Sequence, residues 1–175
     1  MSVRRAVAGL LVALLATSCG AGPSAAPVRS VPTTSASVLP RDEVGKTHGA
    51  ALALIALGEL GEEEGSTQAL RSLAARTAGD GRALDDQIRE LATSGALVLS
   101  DDVDASVVTD LQSRDGRDFD QAWLRAVTVV VGQGREAADD IRSTPGVDRE
   151  AGSVAFNVLA RLAALSNALR NATSR

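Results

Sequence analysis

The feature that most constrains the fold is a long stripe of helical spacing between Leu70 and Ala92. Its members recur every three or four residues: Leu70, Leu73, Ala74, Thr77, Leu84, Ile88 and Leu91. This spacing places them on one face of an α-helix, and such a face must be buried against other elements. Asp80 and Gly81, a carboxylate and a helix-weakening residue, interrupt the stripe on the side that should be buried. We interpret the interruption as the relic of a ligand site.

The chain from Arg41 onward predicts an all-α fold, because every segment has helical spacing and none alternates with a period of two. Four long helices are expected, over about residues 43–64, 70–94, 118–143 and 149–171. A short helix over about 100–111 should lie in the connection between the second and third long helices. The pattern predicts a four-helix bundle. A three-helix bundle with the first helix loose is the alternative.

The N-terminus predicts secretion and a lipid anchor. Residues 1–18 combine Arg4 and Arg5 with an apolar run too short to span a bilayer core of about 30 Å. The run ends at Leu15-Ala16-Thr17-Ser18-Cys19, which resembles the processing site of bacterial lipoproteins. That resemblance implies cleavage before Cys19, a fatty acid such as palmitate on this residue, and export to the outer face of the cytoplasmic membrane. An ordinary cleaved signal peptide with an incidental thiol is the alternative.

Composition divides the remainder into a tether and a domain. Residues 19–40 are rich in Ala, Ser, Pro and Thr, and they contain too little apolar surface to offset the entropy of ordering. We expect a disordered, lipid-anchored tether there and the bundle domain over residues 41–175. The whole chain has a net charge of −4, and loss of the signal makes it more acidic. This charge argues against nucleic acid as a partner.

Two stretches carry a resemblance to a known family. The first contains Leu57-Gly58-Glu59-Leu60-Gly61, Leu73-Ala74, Asp80 and Leu91-Ala92, and the second contains Gly116, Phe119-Asp120 and Trp123-Leu124. Their order and spacing resemble the bacterial envelope family known as domain of unknown function 4142, over roughly residues 47–171. The resemblance implies a ferritin-like four-helix bundle.

The chain lacks the metal ligands that this resemblance implies. Where family members carry a Glu on the first helix and His residues on the later ones, this sequence has Leu54, Gly81, Val131 and either Leu165 or Ser166. A ferritin-like dimetal site needs inward carboxylates together with Glu-x-x-His pairs. The chain contains no such pair. We therefore expect no metal and no cofactor, with Asp80, Gly81 and Asp120 as a vestigial site.

Several single residues are given structural roles. We expect Asp80 to pair with an Arg of a neighbouring helix, and Asp120 to lie in the first turn of its helix, where the dipole favours a carboxylate. Phe119 and Trp123, an i, i+4 pair, should anchor the core. His48, the sole histidine, is expected at the surface.

Gly81 requires a reason of its own, because a glycine inside a helix costs about 0.5–1 kcal/mol relative to alanine. We expect close contact with Gly132 and Gly134 on the third long helix. The alternative is an open pocket in the bundle.

These observations favour a non-enzymatic, lipid-anchored cell-envelope protein that binds or scaffolds an unknown envelope protein or a small ligand. Two alternatives stay open. One is a metal-handling or oxidoreductase-like protein that uses the residual carboxylates Glu59, Asp80, Asp85 and Asp120. The other is a small-ligand carrier with a cavity in the bundle core.

Overall fold

The structure is a computed structural model that describes residues 37–102 and 106–174. This part of the chain forms five helices, α1 (Arg41–Glu64), α2 (Gln68–Ser94), α3 (Ser106–Gln112), α4 (Gly116–Ser143) and α5 (Arg149–Thr173). The predicted all-α bundle with an extra short helix between the second and third long helices is confirmed. The predicted signal peptide, Cys19 and most of the predicted tether lie outside the described residues.

The four long helices form a bundle with one long crossover. α1 packs against α2 and α4, and α5 packs against α4 and α2. Asp120 near the start of α4 meets Ser66 in the α1–α2 loop, while Ser94 at the end of α2 meets Glu150 at the start of α5. α2 and α4 therefore run in the same direction, and the segment with α3 returns along the length of the bundle. A single crossover of this kind is a feature of ferritin-like bundles.

The first helix is an integral part of the bundle, so the three-helix alternative is wrong. Ala51 and Leu54 of α1 are fully buried, and α1 packs against both α2 and α4. α5 has the length and apolar character of a membrane-spanning helix. One face of α5, with Ala155, Val158 and Leu162, is buried in the bundle.

The helix ends follow local capping chemistry. The Thr67 hydroxyl accepts from the Leu70 N–H at 3.1 Å, and Asp148 accepts from the Glu150 N–H at 2.8 Å. Both side chains satisfy amide groups that have no partner within their own helix. α3 begins at Ser106, later than expected, and α4 begins at Gly116, earlier than expected.

The folded region begins before the predicted boundary at residue 41. The Val38 N–H donates to the Gly146 carbonyl at 2.9 Å, and the Val38 carbonyl accepts from the Asp148 N–H at 2.9 Å. Ser37 adds a hydrogen bond to the Asp148 carboxylate, and Leu39 packs against the core. The last residues of the predicted tether are thus held against the α4–α5 connection.

Trp123 and Phe119 anchor the core, as predicted. Both side chains are fully buried. The indole N–H of Trp123 donates to the Leu57 carbonyl of α1 at 2.6 Å. Gly61 allows this approach, since a Cβ there would lie 2.5 Å from the indole nitrogen. The glycine of the Leu60-Gly61 pair therefore leaves the space that the indole of Trp123 occupies.

Candidate functional site

The vestigial position on α2 is closed by an ion pair. The Asp80 side chain is 13% exposed, and its Oδ1 lies 2.9 Å from Nη1 of Arg161 on α5. Arg76, one turn earlier on α2, lies 3.6 Å from Oδ2. The predicted pairing of Asp80 with an Arg from a neighbouring helix is confirmed. This contact holds α2 to α5.

Gly81 lies in a tight helix contact, with a different partner from the one predicted. A Cβ at Gly81 would stand 2.9 Å from Ile55 Cγ1 and 3.0 Å from the Ala51 carbonyl oxygen, both on α1. The expected contact with α4 is wrong, because Gly132 faces open space and Gly134 faces Ala50 and Leu162. The chain pairs α1 with α2 side by side, whereas α2 and α4 lie diagonally across the bundle.

Small residues continue this contact along α1 and α2. A Cβ at Gly58 would lie 2.6 Å from Ala78 Cβ and 2.7 Å from Ala78 Cα. Further along, Gly61 faces Ala74. We call these positions the α1–α2 seam. At Gly58 and Gly81 the helices approach so closely that an added methyl group would lie 3.0 Å or less from atoms of the opposite helix.

Three of the positions where the family resemblance implies metal ligands are occupied by buried aliphatic side chains. Leu54 and Leu165 are fully buried, and Val131 is 3% exposed. Within the described ranges, no group of three His, Cys, Asp or Glu side chains is arranged to hold a metal ion. The residues present therefore do not fit the dimetal centre that the fold family implies.

Asp120 links α4 to the loop between α1 and α2. It accepts from the Ser66 N–H at 3.0 Å through Oδ1 and from the Ser66 hydroxyl through Oδ2. The expected role in the first turn of its own helix is wrong, because α4 begins four residues earlier, at Gly116. The neighbouring Thr67 caps α2. Asp80 and Asp120 contact different elements, so the structure does not join the predicted vestigial residues into one site.

A cluster of polar and charged side chains around His48 was not predicted from the sequence. The expectation of an exposed histidine is wrong, since the His48 side chain is 1% exposed. Its Nδ1 lies 2.8 Å from Asp85 of α2, at ion-pair distance without hydrogen-bond alignment, and its Nε2 lies 3.3 Å from Asp101. We call His48, Asp85, Arg89 and Asp101 the His48 cluster.

Arg89 closes the His48 cluster from the solvent side. Its guanidinium lies 2.8 Å from Asp85 and 2.6 Å from Asp101. Hydrogen bonds from Arg89, and then from His48, hold the pKa of Asp101 below its ordinary value. The hydrogen bonds to Asp85 and Asp101 raise the pKa of Arg89 further. The cluster clamps the start of the crossover to α1 and α2.

A signal for the His48 cluster was present on α1. His48 falls three residues before Ala51 and ten before Gly58, which places it on the face of α1 that forms the seam. A polar residue on a buried face must find partners. Those partners lie 37 and 53 residues further along the chain, so local spacing alone could not identify them.

A groove with an apolar floor lies on the side of α1 away from the seam. It has a volume of about 730 Å³ and runs between α1 and α4, with α3 as a third wall. Small α1 residues form its floor, Gly49, Ala50 and Ala53. Valines line the other two walls, and two of these, Val107 and Val129, are 41% and 58% exposed. We call this feature the α1–α4 groove.

The pKa shift of Asp101 gives a test of the His48 cluster. A carboxylate whose pKa is lower in the folded state stabilises the fold above its unfolded pKa, about 3.9, and loses this contribution as the pH falls through the folded value. Asp101→Asn should therefore melt below the wild type at pH 7, and the difference should shrink between about pH 4 and the acid limit of folding.

The matched control is Asp86→Asn, at an exposed carboxylate of α2. It should melt close to the wild type at every pH. A difference between Asp101→Asn and the wild type that does not change with pH would contradict the role assigned to the cluster. Thermal unfolding followed by circular dichroism gives both comparisons.

Comparison with known proteins supports the family named by the sequence motifs. A family model described as a domain of unknown function, DUF4142, matches residues 26–168. No curated protein and no solved structure matches the chain. The family match covers most of the chain and extends upstream of residue 47, where the motif resemblance begins. The chain belongs to the DUF4142 family.

Proposed function

We infer that the protein is a non-enzymatic binding module of the cell envelope, held at the outer face of the cytoplasmic membrane by a lipid on Cys19. We assign ligand binding to the α1–α4 groove. This assignment rests on the volume of the groove together with the mainly apolar residues that line it. A volume of about 730 Å³ is within the range of small-molecule sites, which are predominantly apolar with a few polar groups.

The space above the floor of the groove is not filled by a side chain of the protein, which favours a ligand as its occupant. A Cβ at Gly49 would have no heavy atom within 4 Å, so this part of α1 is open. Val107 and Val129 stand partly exposed across the gap. An apolar molecule lying between them would remove this surface from water, at about 25 cal/mol for each Å² buried.

The residual carboxylates support binding over chemistry. Asp80 pairs with Arg161, Asp85 belongs to the His48 cluster, and Asp120 holds Ser66. Glu59 lies 2.6 Å from Arg82. Each of the four carboxylates available to a metal-handling protein is thus engaged in holding helices or loops together, which favours the non-enzymatic reading.

A ligand site inside the core receives less support than the groove. The carrier alternative places a cavity where the family's histidine is absent, at Gly81. That position is in contact with Ala51 and Ile55 of α1. The absence of a side chain at Gly81 allows the helices to approach, and the groove lies on the opposite side of α1.

The groove can be tested with a neutral apolar probe, 1-decanol, added to the full chain carrying Cys19→Ala so that no anchor lipid competes. Gly49→Leu should reduce probe affinity by about tenfold or more, because the new side chain fills part of the apolar floor. The probe then buries less apolar surface, which costs roughly 1.5–3 kcal/mol of binding free energy. Calorimetric titration measures the affinity.

Gly45→Leu is the matched control, since Gly45 lies one turn earlier on α1, also faces open space and does not line the groove. It should leave binding unchanged. Absence of binding to the parent chain, or equal loss in both variants, would contradict the proposed function.

The anchor is a separate prediction, supported by the lipoprotein-like motif that ends at Cys19. Wild-type protein should fractionate with membranes and incorporate labelled palmitate, because two acyl chains hold a protein stably at a bilayer. Cys19→Ala should take no label. Equal release of both proteins to the medium, with no label in either, would contradict the anchor.

A further inference from the structure

We propose that the α1–α4 groove takes a cationic amphiphile, with its apolar body along the floor and its positive charge among the carboxylates at one end. This inference rests on the proposed function, since it names the chemical class of ligand for the same groove. Three features of the groove support it: the position of the charges, their lack of cationic partners, and the length of the floor.

The charged residues of the groove gather at one end. Lys46 lies in the second turn of α1, and Glu136 and Asp140 lie toward the end of α4. α1 and α4 run in opposite directions, so these positions share one end of the bundle. Asp102, at the start of the crossover, joins them. Three carboxylates face one ammonium group, an excess of negative charge.

Among the described residues that line the opposite end of the groove, none is charged. This end is lined by Leu57 of α1 and Ala126 of α4. A site that is apolar at one end and anionic at the other matches a ligand that is apolar at one end and cationic at the other.

A nearby cation would stabilise the two carboxylates of α4. Glu136 and Asp140 are four residues apart on one helix, where like charges repel. Among the described residues, neither side chain belongs to a salt bridge, whereas the neighbouring Asp139 is paired with Arg142 at 2.7 Å. A cationic group placed between them would relieve the repulsion, and its attraction would weaken with added salt.

The floor sets the length of the ligand. From Lys46 to Leu57, α1 rises by about 16 Å at 1.5 Å per residue. An extended chain of roughly ten carbons fits within this length. A ligand of this size is also within the range that one small-molecule site accommodates. The headgroup would then stand beside Glu136 and Asp140.

The test compares three ten-carbon probes at monomeric concentrations: decyltrimethylammonium, decanoate and 1-decanol. Each is titrated calorimetrically into the full chain carrying Cys19→Ala at low salt. Decyltrimethylammonium should bind at least about tenfold more tightly than decanoate, with 1-decanol between them, because the carboxylates attract the cation and repel the anion. The preference for the cation should shrink as salt is added.

The double variant Glu136→Gln/Asp140→Asn should lower affinity for the cation several-fold and leave affinity for 1-decanol unchanged. Its control is Asp86→Asn/Glu90→Gln, which removes the same charge from exposed positions of α2. Equal binding of the three probes, or equal effects of the two double variants, would overturn the cationic assignment and leave the proposed function in place. Failure of all three probes to bind would overturn both.

Discussion

The fold depends on the close contact of α1 and α2 through the α1–α2 seam. At Gly58 and Gly81 a single added methyl group would meet atoms of the opposite helix at 3.0 Å or less, backbone atoms included. Helices that lack bulky side chains at their contact can approach closely, and the many short contacts between them replace the burial that large side chains would give. The remaining helices are arranged around this pair. α4 and α5 complete the bundle, and the indole of Trp123 reaches the Leu57 carbonyl because Gly61 leaves it room.

The seam also explains why the charged residues serve structure. α1 and α2 are in contact at Gly81, and Leu54 is fully buried in the core. Asp80 turns to Arg161 of α5, and Asp85 joins the His48 cluster that fixes the start of the crossover. The α1–α4 groove lies on the far side of α1. There the crossover lays α3 across the gap between α1 and α4 and gives the groove its third wall.

The helices and the family could be predicted from the sequence, because both depend on local patterns. Spacings of three and four defined the four long helices, and Gly116, Phe119 and Asp120 carried the family motif. The pairing of Asp80 with an Arg and the burial of Trp123 also followed from their place on apolar stripes. The errors concern contacts between distant segments. His48 finds Asp85 and Asp101 on other elements, and Gly81 packs on α1 because the crossover makes α2 and α4 diagonal neighbours. The groove could not be foreseen, since no local pattern shows which helix faces stay apart.

The close approach of α1 and α2 requires a glycine at position 81, and the stability of Gly81→Ala measures this requirement. Gly79→Ala is the reference, because Gly79 lies two residues away in the same helix and faces open space. Urea unfolding of both variants should show a gain of up to about 1 kcal/mol for Gly79→Ala, from better helix propensity. Gly81→Ala should lose about 1–3 kcal/mol, because its methyl group overpacks the contact with Ala51 and Ile55. A Gly81→Ala variant as stable as Gly79→Ala would show that α1 and α2 do not meet there, and it would contradict the account.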